Sequence, residues 1–347
     1  MADPSSQRSK LSEAVPKPYQ LVKSKLIRAR EAFEMDPISR KVRDGVGEAE
    51  PVKVSLQHRA LLKIPPDLGS ISEIGILDLS HNFLGQGKSK ILKPLKGLFH
   101  LVELDLSFNH FDGVPPSVKY LRHLETLIMK KNFIKRVPKE LSRLSNLRSI
   151  YLDRNALMRI PIGLYKCTQL EQISLLGNDI DVIYPGISKL KNLVTLQLTF
   201  NYLKDLPAEM AEMPSLKVLD LYKNRFEEFP LALTRMENLV HLQLGKNYIR
   251  EVPGEIGKMH SLQRLGLPGC GLRELPEEIG ECASLTELNL ANNKLKEFPK
   301  EVSQLENLEV LNLAHNQIKA IPQWISSLEN LREINLEGNP ITEKEKS

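Results

Sequence analysis

One polar residue recurs along this chain at a fixed interval. Asparagine returns every 23 residues through Asn109, Asn132, Asn155, Asn178, Asn201, Asn224 and Asn247, then resumes in phase at Asn293, Asn316 and Asn339. Cys270 takes the single omitted place. Each position closes the same apolar frame, as in Leu124-Glu-Thr-Leu127-Ile-Met129-Lys-Lys-Asn132 and Leu308-Glu-Val-Leu311-Asn-Leu313-Ala-His-Asn316. A strict period of this length describes one small unit repeated along the chain. No copy can bury its apolar face alone, so each stacks on its neighbours.

Inside the frame apolar and variable residues alternate, the mark of a short strand with one face buried. Strands from successive copies are expected to pair in parallel, about 4.8 Å apart. Six residues past the asparagine place stands proline, at Pro115, Pro138, Pro161, Pro207, Pro230, Pro253, Pro276, Pro299 and Pro322. Proline fixes φ and donates no hydrogen bond, so it suits a return segment and not the ladder. Leu141, Leu144 and Leu147 then point back inward. The period leaves room for short 3₁₀ or helical turns on the outer side and for no long helix. The asparagine amides are expected to bond backbone groups that the turn leaves unpaired. Cys270, in Pro268-Gly269-Cys270-Gly271, is expected to be the softest joint of the array.

The frame L-x-x-L-x-L-x-x-N is similar to the leucine-rich repeat. Its longer form, L-x-x-L-x-L-x-x-N-x-[LI]-x-x-[LVFI]-P-x-x-[LI]-x-x-L, read from Leu216 through Leu239, resembles the Ras-group intracellular leucine-rich repeat proteins over about residues 52–341. That resemblance implies an α/β solenoid, a horseshoe with a parallel β ladder on the concave face and short 3₁₀, helical or irregular segments on the convex face. It also implies a non-catalytic adaptor that holds small GTPases, phosphatase subunits or cytoskeletal adaptors on the concave face. The group's phosphatase-docking pattern [RK]-[VI]-x-[FW] finds its nearest counterpart in Lys53-Val54-Ser55-Leu56, which lacks the aromatic residue.

Three segments follow from the pattern. Residues 1–51 form a leader, disordered at first and then an amphipathic capping helix over about 17–35, built on Val22, Leu26, Ala29 and Phe33. Residues 52–341 hold one degenerate and twelve full repeats, and 342–347 form a charged tail. In the degenerate repeat Val54-Ser-Leu56 is the strand and Arg59 stands in the asparagine place. The repeat around Asn82 is four residues longer than the rest. Its Gly87-Lys88-Ser89 matches the end of a phosphate-binding G-x-x-x-x-G-K-[ST] loop, but Asn82 stands where the first glycine is needed. The insertion therefore reads as an outer-surface turn, with Lys88, Lys90, Lys93 and Lys96 around Ile91, Leu92 and Leu95. No polar capping unit follows Asn339, which leaves a ladder edge to be tolerated or covered by a partner.

A formal charge of +5 on 347 residues is too small to argue for nucleic acid, and 5% aromatic residues do not furnish stacking platforms. The first twenty residues carry no apolar signal core, and no stretch approaches a membrane span. Cys167 and Cys282 fall on buried leucine positions and read as small core hydrophobes. The expected location is cytoplasmic, with the nucleus as an addition. No H-E-x-x-H, C-x-x-C or G-x-S-x-G motif is present, so neither an enzyme nor a cofactor is expected.

Alternation turns the non-leucine strand positions toward the open face, where a solenoid meets its partner. The candidate contacts lie in repeats four to eight: Lys130, Lys131, Tyr151, Asp153, Arg154, Leu176, Gln197, Thr199, Phe200, Tyr222, Lys223, His241, Gln243 and Lys246. Tyr151 and Tyr222 are large and rigid, the kind of side chain enriched at binding hot spots. The surrounding cations suit an acidic or mixed-charge protein. Two readings result. In the first, the chain is a signalling scaffold holding a protein such as a small GTPase or its regulator. In the second, it is a membrane- or cytoskeleton-associated adaptor working through the basic leader and the Lys88–Lys96 insertion.

Overall fold

The computed structural model describes residues 51–85 and 90–341. The expected leader helix, Lys88 and the charged tail lie outside the described residues. Among the described residues, thirteen short parallel strands, from Val52–Ser55 to Glu333–Asn335, form an open, unclosed sheet, and 3₁₀ segments connect them. The chain divides into two compact units, Met1–Leu147 and Arg148–Ser347.

In the first unit the strands are Val52–Ser55, Ile74–Asp78, Glu103–Asp105 and Thr126–Ile128. Leu77, Leu104 and Leu127 stand in register, all fully buried. The first strand begins two residues earlier than its sequence suggests and ends at Ser55, although Leu56 is still buried just beyond it. Arg59 does occupy the asparagine place, and its backbone N–H donates to Asn82 Oδ1 at 3.0 Å. The longer second repeat buries Ile91, Leu92 and Leu95 and exposes Lys90, Lys93 and Lys96. The described part of that insertion is thus an amphipathic turn.

In the second unit the strands run from Ser149–Tyr151 to Glu333–Asn335. Leu196, Leu219, Leu242, Leu265, Leu288 and Leu311 form one continuous buried row. Burying one such leucine contributes about 1.5–3 kcal/mol, so the row is cohesive only because every copy has a neighbour. Ile334, in the last strand, is 38% exposed.

The return segments follow from proline. Pro138 caps the 3₁₀ segment Lys139–Arg143, and its carbonyl accepts the Leu141 N–H at 3.2 Å. Leu144 N–H then bonds Leu141 O, and Leu147 N–H bonds Leu144 O. Three residues per turn places Leu141, Leu144 and Leu147 on one inward line, matching their spacing.

The asparagines form the expected ladder. Asn224 Nδ2 donates to Leu198 O and Leu221 O, both at 3.0 Å, and its Oδ1 accepts the Leu203 N–H at 3.0 Å. One amide thereby ties its own turn to the repeat before it. Cys270 keeps part of this pattern: its thiol donates to Leu244 O at 3.4 Å. Asn293 Oδ1 accepts three N–H groups there, from Cys270, Gly271 and Leu272, at 2.8–3.1 Å. Cys167 and Cys282 are buried as free thiols, and burial pushes their pKa values up to about 12 and about 11.

Candidate partner-binding surface

Three residues per strand leave two side chains on the open face of the sheet, one on each side of the buried leucine. In the second unit these pairs include Thr195 and Gln197, Val218 and Asp220, and His241 and Gln243, while Gln172 and Arg264 stand there without a second open side chain, since Ser174 is buried and Gly266 has none. A hollow of about 340 Å³ lies over this face, lined by His241, Gln243, Arg264, Glu287, Asn289 and their neighbours. Arg264 Nε meets Glu287 Oε1 at 2.9 Å, with both side chains about half exposed. Such a pair adds little to stability. What it does is hold a guanidinium and a carboxylate at fixed places beside His241. Burial and then the charge of Arg264 lower the His241 pKa, while Glu287 pulls it upward. Gly266 lets the Gln243 amide lie across it, since a Cβ there would collide with that side chain.

The sequence-selected residues separate into three groups. Tyr151, Gln197, His241 and Gln243 are half-buried on the strand face. Tyr151 Oη donates to Gln172 Oε1 at 2.7 Å. Two positions past the strand, exposure falls in some of the repeats. Asp153 and Thr199 are buried at 7% and 6%, which corrects their assignment to the open face. Asp153 accepts from the Ser174 hydroxyl and the Leu176 N–H, so it is a ladder residue. Lys130, Leu176 and Tyr222 are half-buried at this same step. The Tyr222 N–H donates to Asp220 Oδ1 at 2.9 Å, and Asn289, Asn312 and Asn335 make the same short turn.

The third group lies on a rim beyond the strands. Lys131, Arg154, Phe200, Lys223 and Lys246 are exposed and all have positive φ, between 50° and 57°. This left-handed step precedes each ladder asparagine, and it lines successive side chains into a row. In the first unit His58 stacks on His81 at 4.3 Å, His81 on Phe108 at 4.0 Å, and Lys131 Nζ lies 4.6 Å from the Phe108 ring centroid. In the second unit Lys223 Nζ lies 4.5 Å from the Phe200 centroid.

Gln172, Thr195, Arg264 and Glu287 were missed by the sequence reading. The signal was the period of two: a residue two places before an open-face position faces the same way. Among the described residues, no group of His, Cys, Asp or Glu side chains converges as metal ligands would. None of their helices is long and apolar enough to cross a membrane. The surface offers fixed hydrogen-bond donors, acceptors and rings, which suits recognition.

No curated protein matches this chain. Residues 58–204 match the model of a leucine-rich repeat region, and residues 283–341 match a leucine rich repeat model. A leucine-rich repeat protein of Leptospira interrogans is 28% identical, with a TM-score of 0.52, covering 84% of this chain and 91% of its own. An internalin of Listeria monocytogenes is 19% identical with a TM-score of 0.74, covering 95% and 94%, and shares the fold. The plant peptide hormone receptor RGFR1, solved in complex with RGF2, is 26% identical with a TM-score of 0.59. That likeness covers 80% of this chain and 50% of the receptor's. The matched models, the asparagine ladder and the open parallel sheet together give this chain the fold of a leucine-rich repeat solenoid.

Proposed function

We propose that the chain is a non-catalytic scaffold that holds a protein partner on the strand face of residues 148–347. The observation that carries this reading is the hollow over His241, Gln243, Arg264 and Glu287, where polar side chains are fixed by a ladder that is already rigid. Little conformational entropy is lost when a partner docks on such a surface. The plant receptor solved with RGF2 supports a protein or peptide ligand for this architecture. The partner class we favour is a small GTPase or its regulator in intracellular signalling, in line with the Ras-group resemblance of the repeat sequence. Affinity capture from cytosol with wild type and a Tyr151→Ala/His241→Ala/Arg264→Ala variant tests it. Proteins lost with the variant, at unchanged circular dichroism, support the strand face; the same captured set from both chains rejects it.

A second reading is an adaptor at a membrane or the cytoskeleton, acting through the basic leader and the Lys88–Lys96 insertion. The exposed Lys90, Lys93 and Lys96, with Phe99 63% exposed beside them, favour it. It predicts salt-sensitive binding to anionic vesicles that is lost on deleting residues 1–35. No vesicle binding at low salt rejects it.

A further inference from the structure

The rim of the second unit carries a site that the strand-face reading does not use. Four turns there present two outward side chains, one on each side of the ladder asparagine: Phe200 and Tyr202, Lys223 and Arg225, Lys246 and Tyr248, Asn292 and Lys294. At the Cys270 turn both places are glycine. Gly269 and Gly271 have φ of 65° and 101°, and a Cβ on Gly271 would meet nothing within 4 Å. Loss of two side chains in succession leaves a cavity of about 810 Å³, walled by Lys246 and Tyr248 on one side and by Asn292 and Lys294 on the other. That volume lies within the roughly 300–1,000 Å³ typical of ligand sites.

The lining has a single sign of charge. Lys223, Arg225, Lys246 and Lys294 reach it, and no Asp or Glu does. Among the described residues none of these four cations pairs with a carboxylate. Two of them are held in place by rings: Lys223 Nζ lies over Phe200 at 4.5 Å, and Arg225 Cζ over Tyr202 at 4.1 Å. Lys246 folds across Gly269, its Nζ 3.2 Å from where a Cβ would stand, so its ammonium lies over the floor of the notch.

We propose that this notch binds an acidic peptide segment of a protein partner, one carrying closely spaced Asp or Glu side chains. An unpaired cation cluster in a concave wall focuses potential and favours carboxylates. Arg225, its Cζ 4.1 Å from the Tyr202 centroid, supplies a guanidinium of the kind that takes a carboxylate through two N–H groups, and Lys246 and Lys294 supply point charges from the two walls. Single-stranded nucleic acid fits less well. It needs a succession of open ring faces for base stacking, and with cations over Phe200 and Tyr202 the notch offers Tyr248 without such a neighbour.

The test uses the full chain and fluorescence anisotropy at low salt. The probes are a labelled nine-residue Glu/Gly peptide, its Gln/Gly counterpart, a labelled oligo-uridine, and phosphatidylserine vesicles. The acidic peptide is expected to bind at least tenfold more tightly than the Gln counterpart and than the oligo-uridine, with affinity falling as salt rises. Lys246→Glu/Lys294→Glu is expected to weaken it at least tenfold. Lys258→Glu/Lys300→Glu, an equal charge change on the exposed 3₁₀ side, is expected to change it less than twofold. Gln243→Ala on the strand face should leave it unchanged, which separates this site from the strand-face proposal. Equal binding of acidic and Gln peptides, equal loss from the two double variants, or tighter binding of oligo-uridine or vesicles would overturn the proposal. Should the reversal variant lose its circular dichroism signal, Lys246→Gln/Lys294→Gln serves instead, with a loss of at least threefold expected and no loss overturning the assignment.

Discussion

Asn247 and Cys270 stand at the same position one repeat apart, and the two turns solve the same problem with different chemistry. Asn247 donates to Leu221 O and Leu244 O and accepts the Phe226 N–H at 3.1 Å. Cys270 reproduces only the donation to the preceding repeat, through a thiol at 3.4 Å. It has no oxygen to receive the Ile249 N–H, which stands where Phe226 stands one repeat earlier. On its other side the Cys270 turn is bridged to the following repeat more fully than a regular turn: Asn293 accepts its three N–H groups, where Asn224 Oδ1 accepts the Leu203 N–H. The amide is therefore a tie between neighbours, and at this joint the bridge to the following repeat is the fuller one. The two rims differ in parallel: Lys246 and Tyr248 project from the first turn, while Gly269 and Gly271 leave the second bare.

The largest effect is expected where the bridge is cut. Asn293→Ala leaves the Cys270, Gly271 and Leu272 N–H groups without their acceptor and should cost about 3 kcal/mol or more. Urea unfolding checks the cost, and hydrogen exchange should accelerate at those three amides first. Asn247→Ala loses one acceptor and its donor bonds and should cost less, about 1–3 kcal/mol. Equal losses from the two variants would mean that the Cys270 turn does not lean on its neighbour. Cys270→Asn supplies an acceptor for Ile249 and should stabilise by about 0.5–1.5 kcal/mol, read as a higher urea midpoint. A lower midpoint would show that the turn has adapted to the thiol.

The smallest effect concerns His241. Its folded pKa lies below 6.5 because burial and Arg264 disfavour the imidazolium. A lowered folded value means that folding favours the neutral ring. That contribution is present above about pH 6.5 and is lost as pH falls through the folded value. NMR titration should place His241 below the ordinary histidine value, and Arg264→Gln should raise it.

Much of the scaffold was legible because it depends on spacing. The 23-residue clock gives the stacked strands, the prolines give the 3₁₀ returns, and Leu141, Leu144 and Leu147 give their inward line. Cys167 and Cys282 were readable as buried thiols from their phase alone. The surface was harder, because exposure past a strand differs between repeats in a way that the repeat pattern does not display. Asp153 and Thr199 alternate correctly for the open face, yet both are buried. The left-handed step that makes a rim of Lys131, Arg154, Phe200, Lys223 and Lys246 is a backbone property, carried here by residues other than glycine. The notch did leave a trace, since Gly269 and Gly271 replace large side chains on both sides of Cys270. Reading its consequence required the neighbouring walls.

The central claim is that a protein partner is recognised by the strand face of residues 148–347 and not by the outer returns. Site-directed photocrosslinking tests it most directly, with a benzophenone amino acid placed at Gln243 on that face or at Glu255 in the outer segment Gly254–Lys258. Irradiation in cytosol should yield a defined protein adduct from position 243, suppressed by Arg264→Ala, and none from position 255. Adducts from position 255 alone would contradict the account and assign recognition to the outer side of the solenoid.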